Sequence, residues 1–214
     1  VVLINPNNPI GNVYTKEELE AVIDKAKQIG AMVIIDEAYY YFYPDTFLEY
    51  AVREENVVIL RTFSKLFSIA ACRLGMIISN PEVIHYVKNA HLSFDVNSIA
   101  LLFGERLLDH PEIEKELIEI EKSGKEYTLK NLKEHGYECR DCRGNFIFVR
   151  TNGNARLVAE KLEKEKKILV HAYRDELLKD YLRISIGDRE KMELFLRSFY
   201  DVDYKQSYTT PAVS

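Results

Sequence analysis

Three apolar runs constrain this chain more than any other feature: Val1-Val2-Leu3-Ile4, Met32-Val33-Ile34-Ile35 and Val57-Val58-Ile59-Leu60. Each is too short for a stable helix and is bounded by polar residues, which is how buried strands read. Between the first two lies a segment of different period. Leu19, Val22, Ile23, Ala26 and Ile29 recur on one helical face. Thr15 and Glu18 stand at capping-box spacing before that stripe, and Gly30 closes it. Strand, helix and strand in that order predict a parallel βαβ unit, so the first part of the chain reads as α/β.

The pattern continues with a strand over Leu74-Gly75-Met76-Ile77-Ile78 and a helix opened by Asn80-Pro81, with Asn as cap and Pro at the first helical position. From Asn97 to His135 the chain reads as helical, broken at Asp109-His110-Pro111; the Glu- and Lys-rich stretch after Pro111 suits an exposed connecting helix. Strands are then expected at Phe146–Val149, Ile168–Val170 and Tyr181–Ile186, with helices at Ala155–Lys164 and Asp188–Phe199. The expected organisation is a mainly parallel α/β region over 1–110, a connecting helix over 111–135, a smaller α/β domain over 136–204 and a polar, disordered tail over 205–214.

The 214 residues carry 29 basic and 34 acidic side chains, for a net charge of −5, without a basic block. That balance speaks against a nucleic-acid or anionic-membrane partner and suits a cytoplasmic enzyme. The apolar start is too short for a signal segment, and nothing in the sequence approaches a membrane span. The chain lacks an initiating Met and opens inside a strand, so it reads as a piece of a longer polypeptide. Cys139-Arg140-Asp141-Cys142 is a single CxxC without a second pair, so a four-ligand zinc site is not expected, and the cysteines read as reduced and non-catalytic.

Polar groups interrupt or follow the strands at four places: Asn5-Pro6-Asn7-Asn8-Pro9-Ile10-Gly11, Asp36-Glu37-Ala38-Tyr39, Thr62-Phe63-Ser64-Lys65 with Arg73 beyond it, and Arg183 within Leu182-Arg183-Ile184-Ser185-Ile186. In open parallel sheets the carboxyl ends of strands line one crevice, so the first three are expected to converge. Each has a plain alternative. The Asn-Pro run is a strong turn signal, Asp36 could cap a helix, and Lys65, Arg73 and Arg183 could be solvated cations.

Taken together, N-P-N-N-P-I-G at 5–11, D-E-A-Y at 36–39, T-F-S-K at 62–65, R-L-G at 73–75, G-N-F at 144–146 and L-R-I-S-I-G at 182–187 resemble the fold-type-I aminotransferases that use pyridoxal phosphate (PLP). Within them the chain is most similar to the histidinol-phosphate aminotransferase group. The motifs run in the family's order and spacing over residues 1 to 204.

This resemblance implies a role for each residue. Lys65 is the Schiff-base lysine and moves the substrate's Cα proton. Asp36 faces the pyridine nitrogen, while Asn8 and Tyr39 meet the ring's phenolic oxygen. Thr62, Ser64 and Arg73 bind the phosphate. Arg183 clamps the substrate carboxylate, with Asn145 as a secondary contact and His171 as a further substrate contact. No metal is implied. Amino-acid and 2-oxo-acid substrates, amino-acid biosynthesis and a homodimer follow from the same resemblance.

Two departures stand out. Ala70-Ala71-Cys72-Arg73 lacks the glycine usual before that arginine, and His171 stands where the histidinol-phosphate group typically carries an arginine for the substrate phosphate, with Arg174 nearby as a second cation. The resemblance also implies a preceding segment that supplies further phosphate donors and an aromatic platform for the ring. A PLP-dependent lyase or decarboxylase acting on an O-phosphoamino acid would use the same cofactor residues, and a non-catalytic PLP sensor is the alternative from outside enzymology.

Overall fold

A computed structural model of the chain describes residues 1–90 and 95–207, which divide into two compact units, Val1–Ile118 and Glu119–Ser214. The last residues of the polar tail, 208–214, lie outside the described residues.

The first unit holds β1 (Val2–Ile4), α1 (Lys16–Gln28), β2 (Val33–Asp36), α2 (Leu48–Arg53), β3 (Val57–Thr62), β4 (Gly75–Ile78), α3 (Pro81–Ala90), α4 (Ser98–Asp109) and the start of α5 (Pro111–Glu134). The sheet order is β1-β2-β3-β4. β1, β2 and β3 pair in parallel, and Ile4, Asp36 and Leu60 stand side by side in that register. α1 begins as its capping box requires: the Glu18 amide donates to Thr15 Oγ1 at 3.2 Å, and the Thr15 amide donates to Glu18 Oε2 at 2.9 Å. Its stripe buries Leu19, Ile23 and Ala26 in one cluster with Val33, Ile35, Val57 and Ile59. Each such side chain contributes about 1.5–3 kcal/mol relative to exposure, Ala less, and this burial fixes the strand ends against the helix.

β4 runs antiparallel to β3 while the other pairs of this sheet are parallel, which agrees with a mainly parallel sheet. A parallel return needs a crossover, whereas here the chain folds straight back, with the Phe63 amide donating to the Leu74 carbonyl at 3.2 Å. The loop between them is packed by Phe63, Leu66, Phe67 and Leu74. α4 comes so close that a methyl group on Gly104 would lie 2.5 Å from Leu74 Cδ2.

The second unit contains the rest of α5 with β5 (Cys139–Asp141), β6 (Phe146–Arg150), α6 (Ala155–Lys166), β7 (His171–Ala172), β8 (Tyr181–Ser185) and α7 (Arg189–Ser207). Its sheet runs β5-β6-β8-β7, antiparallel throughout. Leu132 of α5, Val158 and Leu162 of α6, and Phe195 and Phe199 of α7 pack with Ile147, Val149, Leu182 and Ile184 of the sheet. The strand expected at Ile168–Val170 does not form. α6 ends with Lys167 in the left-handed region, and the Ile168 amide is spent on the Leu162 carbonyl at 3.0 Å, so pairing starts only at His171.

None of the described helices is long and apolar enough to cross a membrane. All three cysteines are free; Cys142 is buried, and that burial pushes its thiol up to about 11.

Candidate active site

The aligned carboxyl ends of β1, β2 and β3 each continue into one of the polar segments. After β1, the Asn5 amide donates to the Asp36 carbonyl at 2.9 Å, which ties the first segment to the second. Asn5 is buried, and its Oδ1 accepts from the Tyr14 amide at 2.9 Å, so the Asn-Pro run is held as an ordered turn. At the end of β2, Asp36 Oδ1 accepts from the Ala38 amide at 2.9 Å and turns the chain toward Tyr39. At the end of β3, Thr62 Oγ1 donates to Ser64 Oγ at 2.9 Å and accepts from the Ser64 amide at 3.1 Å. This local ring of hydroxyls sets the turn that carries Lys65.

Three of the expected residues meet directly. Asn8 Nδ2 donates to the Tyr39 hydroxyl at 3.0 Å, and Lys65 Nζ lies 5.3 Å from the centroid of the Tyr39 ring. Tyr39 is buried and Lys65 half-buried, so the amine stands in a partly desolvated place over an aromatic face. Arg73 ends the 3-10 turn Ala70–Cys72 in the left-handed region with φ 53°, exposed, while Ser68 has φ 56°. These are sparsely populated conformations for side-chain-bearing residues, and they fall within one loop beside Lys65. Ala71, where the resemblance leads one to expect glycine, is not in that region, so its methyl group meets no backbone penalty.

Sequence reading passed over Glu37 and Arg61, the neighbours of Asp36 and Thr62. Glu37 is fully buried and pairs with Arg61 Nη2 at 2.9 Å. Thr46 Oγ1 accepts from Arg61 Nη2 at 2.7 Å, and the Phe47 amide donates to Glu37 Oε1 at 2.8 Å. The Arg61 guanidinium also lies 3.7 Å from the centre of the Tyr40 ring. Each stands beside a residue that the motifs mark, but nothing in the sequence pairs the two.

In the second unit Arg183 of β8 stands between Phe148 of β6 and His171 of β7 in register, and directly opposed residues share a sheet face. Leu182 and Ile184 point into the core, so Arg183 and His171 occupy the other face. There the Arg183 guanidinium lies 5.3 Å from the Phe146 ring centroid, and His171 meets Tyr173 edge-on at 4.5 Å. The carbonyl of Asn145 accepts from the Ile186 amide at 2.9 Å, which joins the G-N-F turn to the strand that carries Arg183.

Over 96% of its length the chain shares the fold of part of the solved histidinol-phosphate aminotransferases of fold type I. The enzyme from Clostridium acetobutylicum matches with a TM-score of 0.85 at 24% identity, covering 96% of this chain and 64% of that one. The enzyme from Sinorhizobium meliloti, solved in complex with pyridoxal-5'-phosphate, matches with a TM-score of 0.84 at 22% identity, covering 96% and 57%.

The family model for aminotransferases of class I and II matches residues 1–199, and the chain belongs to that family. The histidinol-phosphate aminotransferase of Thermotoga neapolitana is 38% identical over 197 residues, a match that takes in 92% of this chain and 56% of that protein. The chain thus spans little more than half the length of the curated relatives it matches.

Proposed function

We propose that the protein carrying this chain is a PLP-dependent aminotransferase that moves an amino group between an amino acid and a 2-oxo acid or aldehyde. The observation that carries this reading is the meeting of Asn8, Tyr39 and Lys65 beyond the ends of parallel strands, with the Asn8–Tyr39 bond at 3.0 Å and the amine 5.3 Å from the ring centroid.

The donor set fits PLP by its chemistry. Thr62 and Ser64 offer hydroxyls and Arg73 a forked cation for a phosphate. Asp36 offers a carboxylate for a ring nitrogen, Asn8 and Tyr39 offer donors for a phenolic oxygen, and Lys65 offers the amine that bonds an aldehyde. When bound, PLP supplies an aromatic electron sink for the charge left on the substrate Cα.

The residues supply the rest. The Lys65 amine takes the Cα proton and returns it at the acceptor carbon. The Asp36 carboxylate holds a proton on the ring nitrogen. The Tyr39 hydroxyl, fixed by the Asn8 amide, keeps one orientation toward the ring oxygen. Arg183 pairs with the substrate carboxylate, Asn145 adds a contact, and His171 meets the far end of the substrate, with Arg174 as a second cation.

In the same reading, residues 1–110 are the later portion of a cofactor-binding domain, 111–135 a connecting helix and 136–204 a small domain, within a cytoplasmic homodimer. The names of the relatives support a role in histidine biosynthesis.

The test uses the full-length protein loaded with PLP and mixed with L-glutamate, following the cofactor's absorbance as the amino group moves. Asp36→Asn is expected to retain PLP and to slow this half-reaction by about 100-fold or more, the range of a lost proton-holding group. A near wild-type rate contradicts the assignment.

A further inference from the structure

In the second unit, the G-N-F turn and the strand of Arg183 are held by one turn of α5. Lys125 lies on that turn with its side chain 13% exposed. Its Nζ donates to the Cys142 carbonyl at 2.6 Å and the Gly144 carbonyl at 2.9 Å, and pairs with Asp141 Oδ1 at 3.1 Å. An ammonium has three donors, and these three acceptors use all of them. The preceding residue, Gly124, is buried, and a side chain there would run into the carbonyl oxygen of Gly187. Gly187 closes the L-R-I-S-I-G motif, and the Ile186 amide before it is bonded to the Asn145 carbonyl. Two adjacent residues of one helix therefore touch both motifs, Gly124 by close approach and Lys125 by its charge.

We infer that Lys125 is a positioning residue for substrate binding, holding the Cys142–Gly144 turn so that Asn145 keeps a fixed place beside the Arg183 strand. The inference rests on the proposed function for the identity of the substrate, but not for the existence of the clamp. Lys125 is spent on the Cys142 and Gly144 carbonyls and the Asp141 carboxylate, and is given no contact with a reacting atom. Its ammonium satisfies the carbonyls of a turn that β5 and β6 leave outside their ladder, and a methionine of similar length leaves both carbonyls without that donor. Asp141, half exposed, is the least important of the three contacts.

The experiment compares Lys125→Met and Asp141→Asn with wild type in the PLP-loaded full-length protein. Lys125→Met is expected to raise KM for L-glutamate about tenfold while kcat stays within about twofold, as for lost binding shared by ground and transition states. Asp141→Asn is expected to leave both unchanged. Hydrogen exchange adds a readout independent of catalysis: in Lys125→Met the Ile186 amide is expected to exchange faster, while those of Ile147 and Leu182 in the same sheet keep their protection. Lys125→Gln carries the same test if the methionine variant does not accumulate. An unchanged KM with unchanged Ile186 exchange, an equal effect of Asp141→Asn, or loss of protection across the whole sheet overturns the inference. If wild type shows no Lys65-dependent reaction with L-glutamate, the proposed function fails, and amide exchange alone decides the clamp.

Discussion

Arg61 grips Glu37 from the next strand, with Nε and Nη2 donating to the same carboxylate oxygen at 3.0 and 2.9 Å. Both side chains sit one position from residues assigned to the cofactor, Asp36 and Thr62, so the pair fixes the spacing of β2 and β3 where it matters to the site. A buried ion pair is costly to break on one side, because it leaves a charge without a partner. Arg61→Leu is therefore expected to destabilise the protein by about 3–5 kcal/mol in urea unfolding. The double variant Arg61→Leu/Glu37→Gln should recover much of that loss. A single-variant effect below about 1 kcal/mol, the range of exposed pairs, would mean that the pair is not held out of water.

The Asn8–Tyr39 bond should behave as one unit. Tyr39→Phe and Asn8→Ala are each expected to slow amino transfer by about tenfold, the rate equivalent of one neutral hydrogen bond. The double variant should be slower than either single one by less than the product of the two losses, since both changes remove the Asn8–Tyr39 bond. Steady-state rates for the four proteins decide it, and fully multiplied losses would mean that the two groups act apart.

Much of this was legible in the sequence, and the reasons are physical. The helical stripe of α1 and the apolar runs of β1 to β3 follow local periodicity, so their pairing in parallel could be expected from order alone. What periodicity does not carry is direction and partner. The return of β4 beside β3 depends on a loop packed by Phe63, Leu66 and Phe67, and the lost strand at Ile168–Val170 depends on which carbonyl its first amide finds. The Glu37–Arg61 pair is likewise invisible in sequence, where 24 residues separate two ordinary charged side chains. Asp36, Tyr39 and Lys65 stood out because motifs, not period, mark them.

Glu121 gives a pH dependence of definite sign. Its Oε1 is buried and has no hydrogen-bond partner among the described residues, and burial pushes the carboxyl up to about 7, with Lys125 pulling it down and Asp141 pushing it further up. Between the ordinary carboxylate range and about 7 the folded protein holds a proton that the unfolded chain has released. Stability therefore falls as pH rises through that window and levels off above it. Glu121→Gln removes the titration, so the stability difference between variant and wild type should grow by roughly 1–2 kcal/mol from pH 4.5 to 7.5, after allowance for partial solvent screening. Urea midpoints across pH measure it, and parallel curves would contradict it.

Lys65 is the residue proposed to bond the cofactor. It stands after the Thr62–Ser64 hydroxyl turn with its amine 5.3 Å from the Tyr39 ring centroid. Borohydride reduction of the PLP-loaded full-length protein, followed by peptide mapping, tests this directly. The expected result is one cofactor-labelled peptide per chain, carrying the label on Lys65 and missing from Lys65→Ala. A label on another lysine, or one that survives in Lys65→Ala at full stoichiometry, would contradict the assignment.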